Sequence, residues 1–316
     1  MDIKEIDLSR YRKTGEGANG ESFDSLDDPS VMVKLYNAFY PVQPIFDEQE
    51  VAAKVYCLGI PSPEPGEVVS AEGRYGIRFR RVEGKRSFSR MFADEPERTE
   101  EFARELARLC KVIHRTECPE GLFPDAKGQF LAMLDAVRDV YTPEEYDWLR
   151  GFIATIPDCG TALHGDMHFG NVITTLPLGA PLTCEHESYF IDLGYFASGC
   201  PLIDLGMMLN ICFFSTDEFV RHDMHISKAQ AGQVLRHFLD EYFYHDDCPA
   251  ARWLPGVGSV DEIIEALRPY YCVKSILITY NLRRVLPEIR EELRYQMGIA
   301  GAVDKGAAGY FPARRY

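Results

Sequence analysis

This sequence of 316 residues lacks several features that define other classes of protein. Its nine cysteines are irregularly spaced and include no C-x-x-C pair, which argues against a disulfide framework and against a zinc site. Residues 1–7 are too polar for a signal peptide, and the apolar run Ser275–Tyr280 is too short to span a bilayer. The sequence therefore predicts a cytoplasmic protein that does not associate with membranes.

Basic residues are also few, since 34 Lys and Arg stand against 49 Asp and Glu, for a net charge of -15. Proteins that bind nucleic acids or anionic membranes need basic patches, so the composition argues against both kinds of partner. The acidic excess would suit a cationic small molecule. Hydrophobic residues make up 46% of the chain and charged residues 26%, as in globular proteins, and the length allows two lobes with separate cores. Composition leaves the oligomeric state open.

The most specific pattern lies in the middle of the chain, where polar residues interrupt apolar runs. His164-Gly165-Asp166 is followed by Asn171, five residues beyond Asp166, and later by Asp192-Leu193-Gly194. Apolar residues flank both groups, as expected for buried strands that end in polar loops. A carboxylate, an amide and a second carboxylate in this order are the groups that protein kinases use for phosphoryl transfer. The pattern indicates a phosphotransferase.

A second pattern lies near the N-terminus, where Gly15, Gly17 and Gly20 form G-x-G-x-x-G ahead of the strand-like segment Val31–Tyr36. In a dinucleotide-binding protein this motif opens a helix, but a turn signal follows within a few residues here. We therefore predict a glycine-rich hairpin and then a strand that carries Lys34. Glycines let a backbone approach phosphates closely, and a lysine can bind phosphate oxygens. A surface hairpin with an extended lysine is the alternative.

A carboxylate partner for Lys34 is expected on the next helix, which the sequence predicts over residues 44–58. Glu48 falls on the apolar stripe of this helix, whereas Glu50 lies on the opposite side. A carboxylate on an apolar face needs a partner. The periodicity therefore favours Glu48 over Glu50 as the partner of Lys34.

The remaining segments predict two lobes of different composition. Residues 68–79 form a hairpin that completes a small antiparallel sheet, and Arg81–Gly84, which contains Glu83, is the connector to the second lobe. The N-lobe is assigned to residues 1–84 and the helical C-lobe to residues 85–316. Helical periodicity marks these segments of the C-lobe: 97–114, 128–140, 142–156, 202–214, 228–244, 260–280 and 287–297. A short hairpin is expected from residues 171–174 and 189–191, and the tail from residue 298 is expected to be poorly ordered.

From about residue 11 to residue 280 the chain resembles the aminoglycoside phosphotransferase and choline kinase family, which has a protein-kinase-like fold. The resemblance rests on the segments His164–Asn171, Asp192–Gly194 and Pro201–Leu205. It implies an α+β, two-lobe fold with a small antiparallel-sheet N-lobe and a larger helical C-lobe.

Two departures from protein kinases favour the small-molecule branch of this fold. Gly165 stands in place of the arginine that pairs with a phosphorylated activation loop. Only nine residues separate Gly194 from Asp204, which leaves no room for such a loop. The short segment argues against a protein kinase or a nucleotidyl-transferase that acts on a protein. A nucleotide-binding pseudokinase is a further alternative, against which the complete set of polar residues counts.

The resemblance implies ATP and Mg²⁺ as cofactors and the hydroxyl of a small molecule as phosphate acceptor. By the same resemblance, Asp166 orients the acceptor hydroxyl, and Asn171 and Asp192 bind magnesium. Lys34 binds the α- and β-phosphates and is held by Glu48. The loop with Gly15, Gly17 and Gly20 covers the triphosphate, and the connector at Glu83 binds adenine through its backbone. Asp204 would accept hydrogen bonds from the backbone of the catalytic loop. His168 would either contact the γ-phosphate or fix the loop backbone.

Two points stay open at the level of sequence. His164, Asp166 and His168 alternate along the chain and could instead form a transition-metal site, although a third or fourth ligand is not evident. The acceptor could be an amine-bearing alcohol such as an aminoglycoside, choline or an amino sugar. Residues 240–244, which include Asp240, Glu241 and three aromatic residues, are candidates for its binding site, and a solvated helix end is the alternative.

Overall fold

The computed structural model describes residues 3–17 and 19–299. Ala18 of the glycine-rich hairpin and the predicted loose tail from residue 300 onward lie outside the described residues. The strands are β1 (Lys4–Glu5), β2 (Tyr11–Gly17), β3 (Gly20–Ser25), β4 (Val31–Tyr36), β5 (Pro65–Ala71), β6 (Arg74–Arg80), β7 (Arg86–Ser87), β8 (Thr161–Leu163), β9 (Val172–Thr174), β10 (Ser188–Phe190) and β11 (Ala197–Gly199). The helices are α1 (Val42–Cys57), α2 (Phe88–Asp94), α3 (Thr99–Arg115), α4 (Ala126–Ala136), α5 (Pro143–Thr155), α6 (Leu202–Leu209), α7 (Asp217–Asp223), α8 (Lys228–Tyr244), α9 (Val260–Leu282) and α10 (Pro287–Gln296).

The chain divides into two compact units, one sheet-rich and one helical. The first is Met1–Ser87 with Asn171–Tyr195, and the second is Phe88–Gly170 with Phe196–Tyr316. The hairpin of β9 and β10 belongs to the first unit because β9 pairs with β7. The expected α+β class is confirmed by these two kinds of unit. The functional division into residues 1–84 and 85–316 stays a prediction.

The first unit contains a six-stranded sheet in the order β1-β5-β6-β4-β3-β2. Only β1 runs parallel to its neighbour, and the other pairs are antiparallel. Alternate side chains of β4 point to opposite faces of the sheet, so Val33 and Leu35 pack with Val69 on one face. Lys34 lies between them in sequence and points to the other face. This alternation places the predicted lysine on the face opposite that cluster.

Helix α1 follows β4 and packs through one stripe of side chains. Ile45, Ala52 and Val55 are buried, and Glu48 lies on the same stripe with its side chain only 11% exposed. The helix begins two residues before the predicted Pro44 and ends one residue before Leu58. Its orientation is therefore set by the apolar stripe that the sequence shows.

The second unit is built mainly from pairs of long helices. Helix α3 packs against α8, and α6 packs against α9. Gly206 makes the second contact possible, because a Cβ atom at this position would lie 2.8 Å from the backbone of Tyr270. Strands β8 and β11 form a short antiparallel pair, with Thr161 opposite Gly199. This pair leads directly into the segments that contain Asp166 and Asp204.

Most predicted elements are present in the structure, with some differences in extent. Helix α8 has the predicted bounds, and α5 begins with a capping box formed by Thr142 and Glu145. Residues 202–214 do not form one α-helix, because α6 ends at Leu209 and residues 210–214 form a buried π-helical turn. The buried strand expected before His164 is present as β8. The short helices α2 and α7 and the strands β7 and β11 were not predicted, since two to seven residues carry too little periodicity. Within residues 3–17 and 19–299, none of the helices is long and apolar enough to cross a membrane.

Candidate active site

In the first unit, Lys34 on β4 lies between two carboxylates. Its Nζ donates to Glu48 Oε1 on α1 at 2.8 Å and to Asp192 Oδ1 at 2.5 Å. The predicted pairing of Lys34 with Glu48 is confirmed. Glu50 instead pairs with Lys54, four residues along the same helix, and is 67% exposed. The partner of Lys34 is therefore the glutamate on the apolar stripe of α1, as the periodicity predicted.

The electrostatics of Lys34 keep its side chain charged. Burial by itself would lower the pKa of Lys34, but the nearby charges of Asp192 and Glu48 raise it well above its ordinary value. The ammonium group is therefore a fixed positive charge at neutral pH. A lysine that is already protonated can bind phosphate oxygens directly.

Asp192 and Asn171 are brought to the same end of a short hairpin. Strands β9 and β10 pair with Phe190 opposite Val172, and the Ile191 N–H then donates to the Asn171 carbonyl at 3.0 Å. Asp192 has a φ of 59°, a left-handed conformation that Asp tolerates better than most residues, and its side chain is 47% exposed. The tertiary pairing thus makes neighbours of two residues that lie 21 positions apart in the sequence.

The donor set at this hairpin fits magnesium. Mg²⁺ is usually held by one or two protein carboxylates or other oxygen ligands, with phosphates and water completing the octahedron. Asn171 and Asp192 offer an amide oxygen and a carboxylate, which are hard oxygen ligands of the kind that Mg²⁺ prefers. Their chemistry therefore matches the predicted role, which stays a prediction.

The glycine-rich segment forms the predicted hairpin of β2 and β3, with Gly17 opposite Gly20. Its glycines differ in what surrounds them. A Cβ atom on Gly20 would collide with the backbone of β4, including Tyr36 Cα at 2.9 Å. A Cβ on Gly15 or Gly17 would meet its nearest atom at 3.6 Å or 3.9 Å, an ordinary contact. The sheet itself therefore requires glycine at position 20, whereas packing requires it at neither 15 nor 17.

The connector between β6 and β7 contains Glu83 and Gly84. Glu83 is exposed, and Gly84 has a φ of 63°, which favours glycine. The backbone groups predicted to bind adenine lie in this segment, and that role stays a prediction.

In the second unit, the loop with Asp166 is held by Asp204 at the start of α6. Asp204 is completely buried and accepts hydrogen bonds from the backbone N–H groups of His164 at 2.7 Å and Gly165 at 2.9 Å. Its Oδ2 also lies 3.2 Å from His114 Nε2 on α3. Burial would raise the pKa of Asp204, but the hydrogen bond and charge of His114 leave it below the ordinary value. The predicted structural role of Asp204 is confirmed.

The two loop histidines also hold backbone. His164 Nδ1 accepts the Asp166 N–H at 3.2 Å, and His168 Nδ1 accepts the Gly170 N–H at 3.0 Å. The second contact leaves Nε2 of His168 as the nitrogen that faces Asp166 Oδ2, at 3.8 Å. His168 therefore has the backbone-fixing contact that was one of its two predicted roles.

A transition-metal site at these residues is not supported. Across residues 3–17 and 19–299, no group of three or more His, Cys, Asp or Glu side chains is placed to hold a metal ion. His164 and His168 each use Nδ1 for a backbone contact instead. The side chain of Asp166 is 24% exposed.

The candidate acceptor residues on α8 were wrongly assigned in part. Glu241 is 3% exposed and pairs with Arg104 and Arg108 of α3, while Asp240 also pairs with Arg104. Tyr242 is buried, and its hydroxyl lies 2.7 Å from His114 Nδ1. These groups stabilise the contact between α3 and α8, because each buried carboxylate or hydroxyl finds a partner on the facing helix.

Sequence reasoning missed two buried groups next to the Asp166 loop. His114 connects Asp204 to Tyr242, and Lys274 on α9 donates to the Gly165 carbonyl. A signal for Lys274 was present, since it is a lone charged residue in the apolar run 270–280. A charge on an apolar helix face needs a partner, which holds for Lys274 as it does for Glu48.

The fold is shared with several solved structures of phosphotransferases. The chain is similar to the GDP and kanamycin complex of APH(2")-IIia, with a TM-score of 0.53, 17% identity and coverage of 93% of each chain. It is similar to an aminoglycoside-3'-phosphotransferase of type VIII, with a TM-score of 0.51, 18% identity, and coverage of 83% of this chain and 94% of that one. For ADP-bound APH(2'')-Ib the TM-score is 0.51 at 16% identity, with coverage of 90% and 92%. No curated protein matches the chain significantly.

The fold is that of solved phosphotransferase structures, and its strand lysine is paired with a helix glutamate. The model of the phosphotransferase enzyme family matches residues 12–257, and the chain belongs to this family. The family resemblance inferred from the motifs is thereby confirmed, and the chain is an enzyme that transfers a phosphoryl group.

Proposed function

We propose that this chain is an ATP- and Mg²⁺-dependent kinase that phosphorylates a hydroxyl group of a small molecule. The observation that carries the proposal is the position of Lys34 between Glu48 and Asp192. Kinases of this fold need such a lysine, held by a helix glutamate, beside the metal-binding carboxylate. Membership of the phosphotransferase family supports the same reaction.

The nucleotide role falls on the first unit. Bound Mg²⁺·ATP supplies the phosphoryl group and part of the charge neutralisation that its transfer requires. Lys34 binds phosphate oxygens, and Glu48 keeps its ammonium in place. Asn171 and Asp192 present oxygen ligands to the metal, while the hairpin of Gly15, Gly17 and Gly20 covers the phosphates. The backbone near Glu83 receives the adenine.

The acceptor role falls on Asp166. Its carboxylate accepts a hydrogen bond from the acceptor hydroxyl, orients that oxygen toward the γ-phosphorus and takes up the proton as the new P–O bond forms and the bond to the β-phosphate breaks. The hydrogen bonds of Asp204 and His164 fix the loop that carries it. Holding the reacting groups in place is the main contribution of the protein to this kind of reaction.

The acceptor that we propose is an amine-bearing alcohol, such as an aminoglycoside, choline or an amino sugar. The net charge of -15 supports a cationic acceptor. One of the structures that share the fold is a complex with GDP and kanamycin. The residues that would bind it are not Glu241 or Tyr242, which are used between α3 and α8.

The test is a panel of acceptors assayed with ATP and Mg²⁺ by ADP release, with Asp166→Asn as the control. Wild-type turnover is expected with at least one amine-bearing alcohol, and the variant should lose on the order of 10²–10⁴ in kcat while still binding nucleotide. Undiminished turnover of the variant would refute the role of Asp166. Competition by choline, an aminoglycoside and a neutral sugar at low and high salt tests the charge of the acceptor. Competition by the neutral sugar alone would refute the amine class and leave the kinase assignment intact.

A further inference from the structure

Lys274, in the middle of α9, is one of the most deeply buried charged residues of the second unit. It is 1% exposed, its Nζ donates to the Gly165 carbonyl, and the ammonium lies 5.0 Å from the centre of the Phe130 ring. Gly165 stands directly before Asp166 in the sequence. The buried lysine therefore contacts the loop that carries the proposed catalytic carboxylate.

Burial of this lysine is costly, so its retention in an apolar helix requires an explanation. Burial lowers the pKa of Lys274, and the charges of Asp166 and Asp204 oppose that effect. The same face of α9 carries buried apolar residues, including Leu267 and Leu277. A hydrophobic residue would pack here at lower cost if the position served stability alone.

The contact completes a clamp on the two peptide groups that flank Gly165. On one side, Asp204 Oδ1 accepts the Gly165 N–H at 2.9 Å. On the other side, Lys274 donates to the Gly165 carbonyl, which belongs to the peptide bond that joins Gly165 to Asp166. Gly165 has a φ of 80°, and glycine is the residue with the greatest backbone freedom. The two bonds together fix the backbone dihedrals that set the direction of the Asp166 side chain.

We propose that Lys274 is a positioning residue for Asp166. Lys274 acts through the Gly165 carbonyl and does not contact the substrate. The proposal rests on the role given above to Asp166. A displacement of about 1 Å at a reacting group can cost about 10²-fold in rate, so loss of one half of the clamp is expected to be visible in kcat. Nucleotide affinity depends on Lys34 and Asp192, so it should stay unchanged when Lys274 is replaced.

The test compares Lys274→Met, which removes the donor at similar length, with Lys274→Gln, which keeps an N–H donor. Lys274→Met is expected to lower kcat by about 10²-fold with little change in KM for ATP, and Lys274→Gln to lose less. Lys111→Met is the matched control, since Lys111 is also 1% exposed and donates to backbone carbonyls, those of Glu241 and His245. It should lower the melting temperature without lowering kcat.

A double-mutant cycle separates this proposal from the proposed function. In the Asp166→Asn background, either substitution of Lys274 should cause no further loss of kcat, because the carboxylate that it positions is gone. An equal loss in both backgrounds, or full kcat in Lys274→Met, would overturn the positioning role. If the Met variant does not fold, the Gln variant carries the same cycle. Failure of the proposed function would show instead as undiminished turnover of Asp166→Asn alone.

Discussion

Replacement of Glu48 by glutamine tests the ion pair that carries the functional proposal. Glu48 Oε1 accepts from Lys34 Nζ at 2.8 Å, and the two side chains are 11% and 20% exposed. Glutamine keeps the shape and an acceptor oxygen but removes the negative charge. Lys34 retains Asp192 as a partner, so the variant is expected to fold and to change mainly the position of the ammonium group.

The size of the effect follows from the change in one hydrogen bond. The bond keeps its charged donor, Lys34, but loses its charged acceptor, so its contribution should fall from the upper to the lower end of the range of about 1.5–3 kcal/mol for charged hydrogen bonds, a cost of about 1–1.5 kcal/mol. At about 1.4 kcal/mol per factor of ten, this predicts a decrease of about 5- to 12-fold in kcat/KM for ATP. Steady-state kinetics with varied ATP at saturating Mg²⁺ measures it directly.

Glu50→Gln on the same helix is the matched control. Glu50 is 67% exposed and pairs with Lys54, four residues along α1, and a surface pair of this type contributes about 0.3–0.5 kcal/mol. Its loss should change kcat/KM for ATP by less than about twofold. Equal effects of the two substitutions would show that the pairing of Lys34 with Glu48 has no part in nucleotide use, and the reasoning would be refuted.

Two further predictions concern the nucleotide-binding groups. Asp192→Asn keeps a residue that tolerates the left-handed backbone at φ 59° but removes the anionic ligand. The thermal stabilisation by ATP with Mg²⁺ should therefore fall sharply toward the value measured with EDTA. A shift in melting temperature equal to that of the wild type would contradict the assignment. Gly20→Ala should lower the melting temperature because its Cβ would collide with β4, whereas Gly17→Ala should leave stability unchanged and weaken ATP binding. Unchanged ATP affinity in Gly17→Ala would show that the phosphates do not approach this hairpin closely.

Local patterns predicted the elements that hold the site and part of its pairing. The pattern of residues 31–36 predicted a strand that carries Lys34, and the periodicity of α1 favoured Glu48 over Glu50. These predictions succeeded because each depends only on the period of one strand or one helix. The capping box of Thr142 and Glu145 is local in the same sense.

Predictions that required the facing surface of another element were less successful. Glu241 and Tyr242 were candidates for an acceptor site or for a solvated helix end, but α3 supplies Arg104, Arg108 and His114 as their partners. The sequence of α8 shows its polar residues and not the helix that packs against them. A charged residue at a helix end therefore looks the same whether it faces solvent or a neighbouring helix.

The sequence by itself predicted the kind of chemistry, because Asp166, Asn171 and Asp192 stand in the order of the carboxylate, amide and second carboxylate that kinases use for phosphoryl transfer. Only the tertiary structure decided which contacts fix the positions of these three residues. The pairing of β9 with β10 sets Asn171 beside Ile191, and Lys274 reaches Gly165 from 109 residues away. Contacts between distant segments depend on packing of whole elements, and no local period in the sequence records them.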